Sequence, residues 1–161
     1  MKAATIKELK QELGNCSQKE LLELCLRLSK FKKENKELLT YLLYEESDET
    51  AFIQNVKSEI EQEFSLINTT SYYFIKKSVR KILRNTKKYI RYSKKKETEV
   101  ELLIYFCSEL KNMRPSIERN VPLKNILIRQ IEAIKKAVST LHEDLQYDYE
   151  VEMNEILLEN K

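Results

Sequence analysis

Glycine is almost missing from this chain: its 161 residues hold one, Gly14. Average usage would supply roughly 7%. Sheets joined by tight hairpins draw on glycine for turn residues with φ > 0, so its scarcity argues against a β architecture. It also excludes G-x-x-x-x-G-K-[ST], G-x-G-x-x-G and G-x-S-x-G, none of which a single glycine can build. Proline is nearly as scarce, with only Pro115 and Pro122. A chain this poor in both, and rich in Leu, Lys, Glu and Ile, reads as all-helical.

Histidine is limited to His142. A Ser–His triad or a His-rich zinc site would have to be built around that one residue. In His142-Glu143-Asp144 the neighbours fall on different helix faces, so His142 reads as a surface residue late in a helix. The three cysteines, Cys16, Cys25 and Cys107, are odd in number and lack C-x-x-C spacing, which gives neither a disulfide framework nor a metal site. Cys25 and Cys107 lie among apolar residues and read as small core side chains. Among the acids, Glu59 and Glu63 share a helix face while Glu61 points away, and two carboxylates make a poor metal site. No catalytic residue, metal, cofactor or small-molecule substrate is therefore expected, and the chain reads as non-enzymatic. Met1–Glu8 has no apolar signal segment. The longest apolar runs fall far short of the ~20 residues of a membrane span. The expectation is a cytoplasmic protein without a membrane partner.

What is present is helical patterning. Apolar residues make up 42% of the chain, which argues against global disorder despite 34% charge. Thr5-x-x-Glu8 and Ser17-x-x-Glu20 are capping boxes that open two helices, and Gly14 suits the C′ position that closes the first. Leu21, Leu22, Leu24, Cys25, Leu28 and Phe31 form an apolar pattern in the second. Lys32–Lys36 either continues that helix or breaks it, before a patch at Leu38, Leu39, Tyr41, Leu42 and Leu43. Ser47 or Asp48 caps a helix with Ile53, Val56, Ile60, Phe64 and Ile67 on one face. A polar turn at Asn68–Ser71 follows. After the basic segment described below, Val100, Leu103, Phe106, Cys107 and Leu110 mark a helix over 97–112. Residues 114–121 read as the longest loop, with Pro122 at the start of the next helix. A long stripe then runs from Leu123 through Ile134 and Val138 to Leu145, and 147–160 continue or restart it with Val151, Met153, Ile156 and Leu157. These add to seven or eight helices in one all-α domain over residues 1–161, either an antiparallel multi-helix bundle or stacked helical hairpins.

Charge is unevenly distributed although the net value is only +3. Residues 45–63 and 143–161 each carry seven acids and one Lys, and between them residues 72–96 carry eleven Lys or Arg and no acid. On a helical wheel at about 100° per residue, Lys76, Lys77, Arg80, Lys81, Arg84, Lys87, Lys88 and Arg91 fall on one side of a helix over 72–93. Ile75, Val79, Ile82, Leu83, Tyr89 and Ile90 fall on the other. Tyr73 lies within the cationic stripe, and Phe74 and Tyr92 lie at its border. Basic charge interleaved with aromatics is what non-specific nucleic-acid grooves use, the cations on phosphates and the rings stacked on bases. The stripe is thus a candidate RNA- or DNA-binding surface. Alternatively, it docks on an acidic protein surface, including the acidic segments of another copy in a homo-oligomer. It is also compatible with a plain solvated face. It acts as a binding surface only if the acidic blocks leave it uncovered.

Overall fold

The computed structural model of the chain describes residues 1–158. Every regular element among them is helical. Eight α-helices follow in order: α1 (Ile6–Gly14), α2 (Gln18–Phe31), α3 (Lys33–Thr40), α4 (Glu49–Ser65), α5 (Tyr72–Ser93), α6 (Lys96–Asn112), α7 (Val121–Val138) and α8 (Glu143–Met153). None is long and apolar enough to cross a membrane. The chain divides into two compact units, Met1–Tyr44 and Glu45–Lys161.

In the first unit both capping boxes form. The Thr5 hydroxyl accepts from the Glu8 amide at 3.3 Å, and the Glu8 carboxylate accepts from the Thr5 amide at 2.7 Å. Ser17 and Glu20 repeat the arrangement at the same distances. Lys32 resolves the ambiguity of the polar stretch: its extended backbone breaks the helix, and α3 starts at Lys33. The Asn35 amide reaches back to the Leu28 carbonyl at 2.9 Å and satisfies the open end of α2. Gly14 differs from expectation. It is the last residue of α1, without a positive φ, and Asn15 ends the helix in a right-handed conformation. Burial differs more. No residue of α1, α2 or α3 is buried, and Leu22, Leu24, Cys25, Leu28 and Phe31, expected in a core, are exposed. Three short helices within 44 residues enclose no interior of their own.

The second unit is a bundle of α4 to α8. Glu49 bonds to Ser93 and Thr98, Glu59 to Tyr89, and Glu63 to Asn85, so α4 and α5 run antiparallel. Lys57 meets Glu101 at 3.0 Å and Phe64 packs on Phe106, so α4 and α6 run in the same sense. The central helix is α6, which packs against α4, α5 and α7. Its buried residues include Leu102, Leu103 and Ile104 in succession, so its buried face is broad, while Glu97, Glu101, Tyr105 and Glu109 keep one polar stripe exposed or half-buried. Each of these, at 2% exposure or less, is worth about 1.5–3 kcal/mol of burial. The spacing of Val100, Leu103, Phe106, Cys107 and Leu110 alone predicts a single apolar face, and the packing is wider than that. Cys107 is fully buried among them, as expected, and burial pushes its thiol up to about 12.

The expected loop near Pro115 holds a short 3-10 turn at Ile117–Arg119, and the Asn120 side chain caps α7, with Pro122 in its first turn. The stripe expected from Leu123 to Leu145 is interrupted after Val138. His142 does not end a helix but begins one: it is exposed, and its Nδ1 accepts from the Asp144 amide at 3.4 Å as the N-cap of α8. The side chain of Ile156 and residues 159–160 of the expected C-terminal helix lie outside the described residues.

Candidate nucleic-acid interface

Helix α5 is held by one face and charged on the other. Before it, the Asn68 side chain accepts from the Thr70 amide at 3.0 Å and turns the chain. Ile75, Val79 and Ile82 are at most 1% exposed and anchor the inner face. Thr86, also buried, returns its hydroxyl to the Ile82 carbonyl at 3.0 Å. The helix ends at Lys94, whose φ of 59° is left-handed and whose amide bonds to the Ile90 carbonyl. Lacking a glycine for this position, the chain uses a lysine.

On the outer face Lys77, Arg80, Lys81, Arg84, Lys87 and Arg91 are exposed, and Lys76 and Lys88 are half-buried. Lys81 comes within 3.9 Å of Glu63 at the margin of the stripe. The Lys88 ammonium lies 4.9 Å from the centre of the Tyr89 ring. Among the described residues no carboxylate lies within 4.0 Å of Lys76, Lys77, Arg80, Arg84, Lys87 or Arg91. Tyr73, Lys76, Lys77, Arg80, Lys81 and Arg84 line an open groove of about 580 Å³.

Several acids of the two blocks have partners beside or away from the stripe. On α4, Glu49, Glu59 and Glu63 bond to Ser93, Tyr89 and Asn85 along the seam with α5, beside the stripe rather than over it. Glu152, in the C-terminal block, is raised above the usual carboxylate range by burial. Lys57 offsets part of that rise, while Glu101 and Glu155 add to it. Tyr149 is pushed up to about 12, first by burial and then by Glu101, Glu152 and Glu97. That acidic cluster therefore gathers around α4, α6 and α8.

Of the three aromatics in or beside the stripe, the structure leaves Tyr73 and Phe74 exposed and buries Tyr92. Tyr73 is 66% exposed, with Phe74 edge-on beside it at 5.4 Å. Tyr92 is only 8% exposed, its ring meeting Tyr89 edge-on at 6.1 Å. It belongs to the packed end of the helix and offers no face to a base. A helical wheel puts Tyr92 at the border of the stripe but carries no information on how far packing spreads around the last turn of α5. Glu61 points away from Glu59 and Glu63, as its spacing requires, into an open groove of about 320 Å³ shared with Glu109 and Arg114. Burial, and then the charge of Glu61, raise Glu109. Among the described residues no group of three or more His, Cys, Asp or Glu is placed to hold a metal ion.

Among the described residues the fold is all-helical, and α5 presents an exposed cationic face. Comparison with protein-family models, with curated proteins and with solved structures finds no match.

Proposed function

We propose that α5 is a non-catalytic nucleic-acid-binding surface that tracks the phosphate backbone. The observation that carries the reading is the uncovered row Arg80, Arg84, Lys87 and Arg91, free of carboxylates among the described residues although an acidic helix lies alongside. At 1.5 Å rise per residue these cations step along the axis by about 4.5–6 Å, comparable to the reach between successive phosphates. The row has a cost. Lys76–Arg80, Lys77–Lys81, Arg80–Arg84, Arg84–Lys88 and Lys87–Arg91 are like-charge i,i+4 pairs, each destabilising by about 0.2–0.5 kcal/mol at low salt. A merely solvated face would relieve that repulsion by alternating signs, whereas a polyanion relieves it on binding. Tyr73 adds a stacking face at one end of the groove.

Fluorescence anisotropy with a labelled 20-nucleotide single strand tests the proposal. With four to six phosphates contacted, the slope of log K against log salt is about −3 to −4. Arg84→Glu/Lys87→Glu abolishes binding and leaves the far-ultraviolet circular dichroism unchanged. Binding at low salt that survives this double reversal would falsify the assignment. So would retention of a purely acidic polypeptide with no affinity for the oligonucleotide, which would favour the protein-docking alternative.

A further inference from the structure

A row of cations can lie on the phosphates of a duplex or of a single strand, and the side chain that stands in line with the row separates the two. On α5 that side chain is Tyr73. Tyr73, Arg80, Arg84, Lys87 and Arg91 are spaced seven, four, three and four residues apart, so all five fall within an arc of about 60°. From Tyr73 to Arg91 the line is straight and about 27 Å long. Tyr73 is 66% exposed, although the turn that carries it is pinned. Ile75 is fully buried, and the Tyr72 hydroxyl donates to the Ser116 carbonyl at 2.8 Å. Phe74 meets the Tyr73 ring edge-on, and Lys76 and Lys77 line the same groove. An aromatic ring is thus held in water at a fixed place among cations.

A duplex meets this line poorly. Its strands wind once in about 34–36 Å, so over this length each turns away through about three-quarters of a turn and leaves part of a straight row behind. Its bases are stacked on one another, so the Tyr73 ring finds no base face there. Reading base edges instead calls for side chains such as Asn or Gln. Asn85 is the one such amide on α5, and it is bonded to Glu63 at 3.2 Å. A single strand fits better. It can straighten along the row and unstack one base onto the ring, and the neighbouring cations neutralise its phosphates.

We infer that α5 takes single-stranded nucleic acid in preference to duplex, with a base stacked on Tyr73 and successive phosphates on Arg80, Arg84, Lys87 and Arg91. This rests on α5 being a phosphate-binding surface. Anisotropy of the full chain with one labelled strand, alone and annealed to its complement, as DNA and as RNA, tests it. Each single strand is expected to bind at least about tenfold tighter than its duplex. The tighter of the two single strands names the backbone. Tyr73→Ala weakens single-strand binding about 5- to 150-fold. It leaves duplex binding and the salt slope unchanged, because no phosphate contact is lost. Tyr73→Trp keeps the affinity. The chain has no other tryptophan, so the fluorescence reports this ring alone, and a stacked base quenches it. Tyr73 is exposed, so neither variant unfolds the chain. A duplex bound as tightly as the single strand, and lost in Arg84→Glu/Lys87→Glu, overturns the inference while keeping the phosphate surface. Unchanged affinity in Tyr73→Ala, or no quenching of Tyr73→Trp by saturating single strand, also overturns it. Binding of neither form overturns both.

Discussion

Replacing Glu49 tests whether one carboxylate fastens three helix ends. Glu49 is the first residue of α4, where a negative charge also favours the helix dipole. Its carboxylate accepts from the Ser93 hydroxyl at the end of α5, from the Thr98 hydroxyl in the first turn of α6 at 2.6 Å, and from the Lys95 ammonium at 3.0 Å. Thr98 is 0% exposed and Ser93 is buried, so neither hydroxyl has water as a substitute. A hydrogen bond to a charged group is worth about 1.5–3 kcal/mol, and a buried donor left alone costs a similar amount. The half-exposed lysine adds at most about 1 kcal/mol. Glu49→Ala is therefore expected to cost about 3–4 kcal/mol, and Glu49→Gln, which keeps an acceptor, about half of that. Urea unfolding followed by circular dichroism reads the difference. A double-mutant cycle sharpens it. Thr98→Val costs about 1–2 kcal/mol in the native background. In the Glu49→Ala background the same change is neutral or stabilising, because it removes an orphaned hydroxyl. The reasoning fails if Glu49→Ala costs under about 1 kcal/mol, or if Thr98→Val costs the same in both backgrounds.

Three further outcomes are expected. Lys94→Gly stabilises the second unit by about 0.5–1 kcal/mol, because glycine takes the left-handed conformation without a Cβ penalty; a lower urea midpoint contradicts this. Glu109 is raised by burial and then by Glu61, so its ionisation opposes folding: no penalty exists well below pH 4.5, and stability is lost as pH rises through the raised folded value. Glu109→Gln accordingly raises the urea midpoint at pH 7 and changes little at pH 4; equal effects at both values refute the assignment. Glu8 and Glu20 are held below the usual carboxylate range by the amides and then the hydroxyls of Thr5 and Ser17. Their contribution is present above pH 4.5 and is lost as pH falls through the depressed values. The acid-induced loss of ellipticity should therefore shrink in Glu8→Gln/Glu20→Gln, and an unchanged pH profile would count against the capping boxes.

Local signals make much of the fold readable in advance. Thr5, Ser17 and Asp48 open helices because their side chains meet amides three residues on, a relation contained in the sequence itself. The inner faces of α4 and α5 follow from three- and four-residue spacing. What the sequence hides comes from tertiary circumstances. Leu102 and Ile104 are enclosed because α4, α5 and α7 all pack on α6, and a buried face that broad does not show as a narrow three- and four-residue stripe. Leu24, Cys25, Leu28 and Phe31 carry a core pattern but find no core within their unit. The basic residues of α5 are legible because charge separates cleanly from apolar surface around the helix. The burial of Tyr92 is not, since it depends on Tyr89 and on how packing spreads around the last turn. Glu49 gives no signal at all, because its partners lie 44 to 49 residues away.

The separation of charge within the second unit has a consequence for how it moves toward other bodies. Residues 45–161 hold twenty Lys or Arg and twenty Asp or Glu, so as a point charge this unit is neutral. The cations gather on α5 and a carboxylate group on α6 and α8, which makes it an electric dipole. A dipole is turned by a field before net charge attracts it, so an approaching polyanion meets α5 first more often than chance would allow. The same property makes its isoelectric point a poor guide to its chromatography. Near neutral net charge it binds a cation exchanger through one side and an anion exchanger through another.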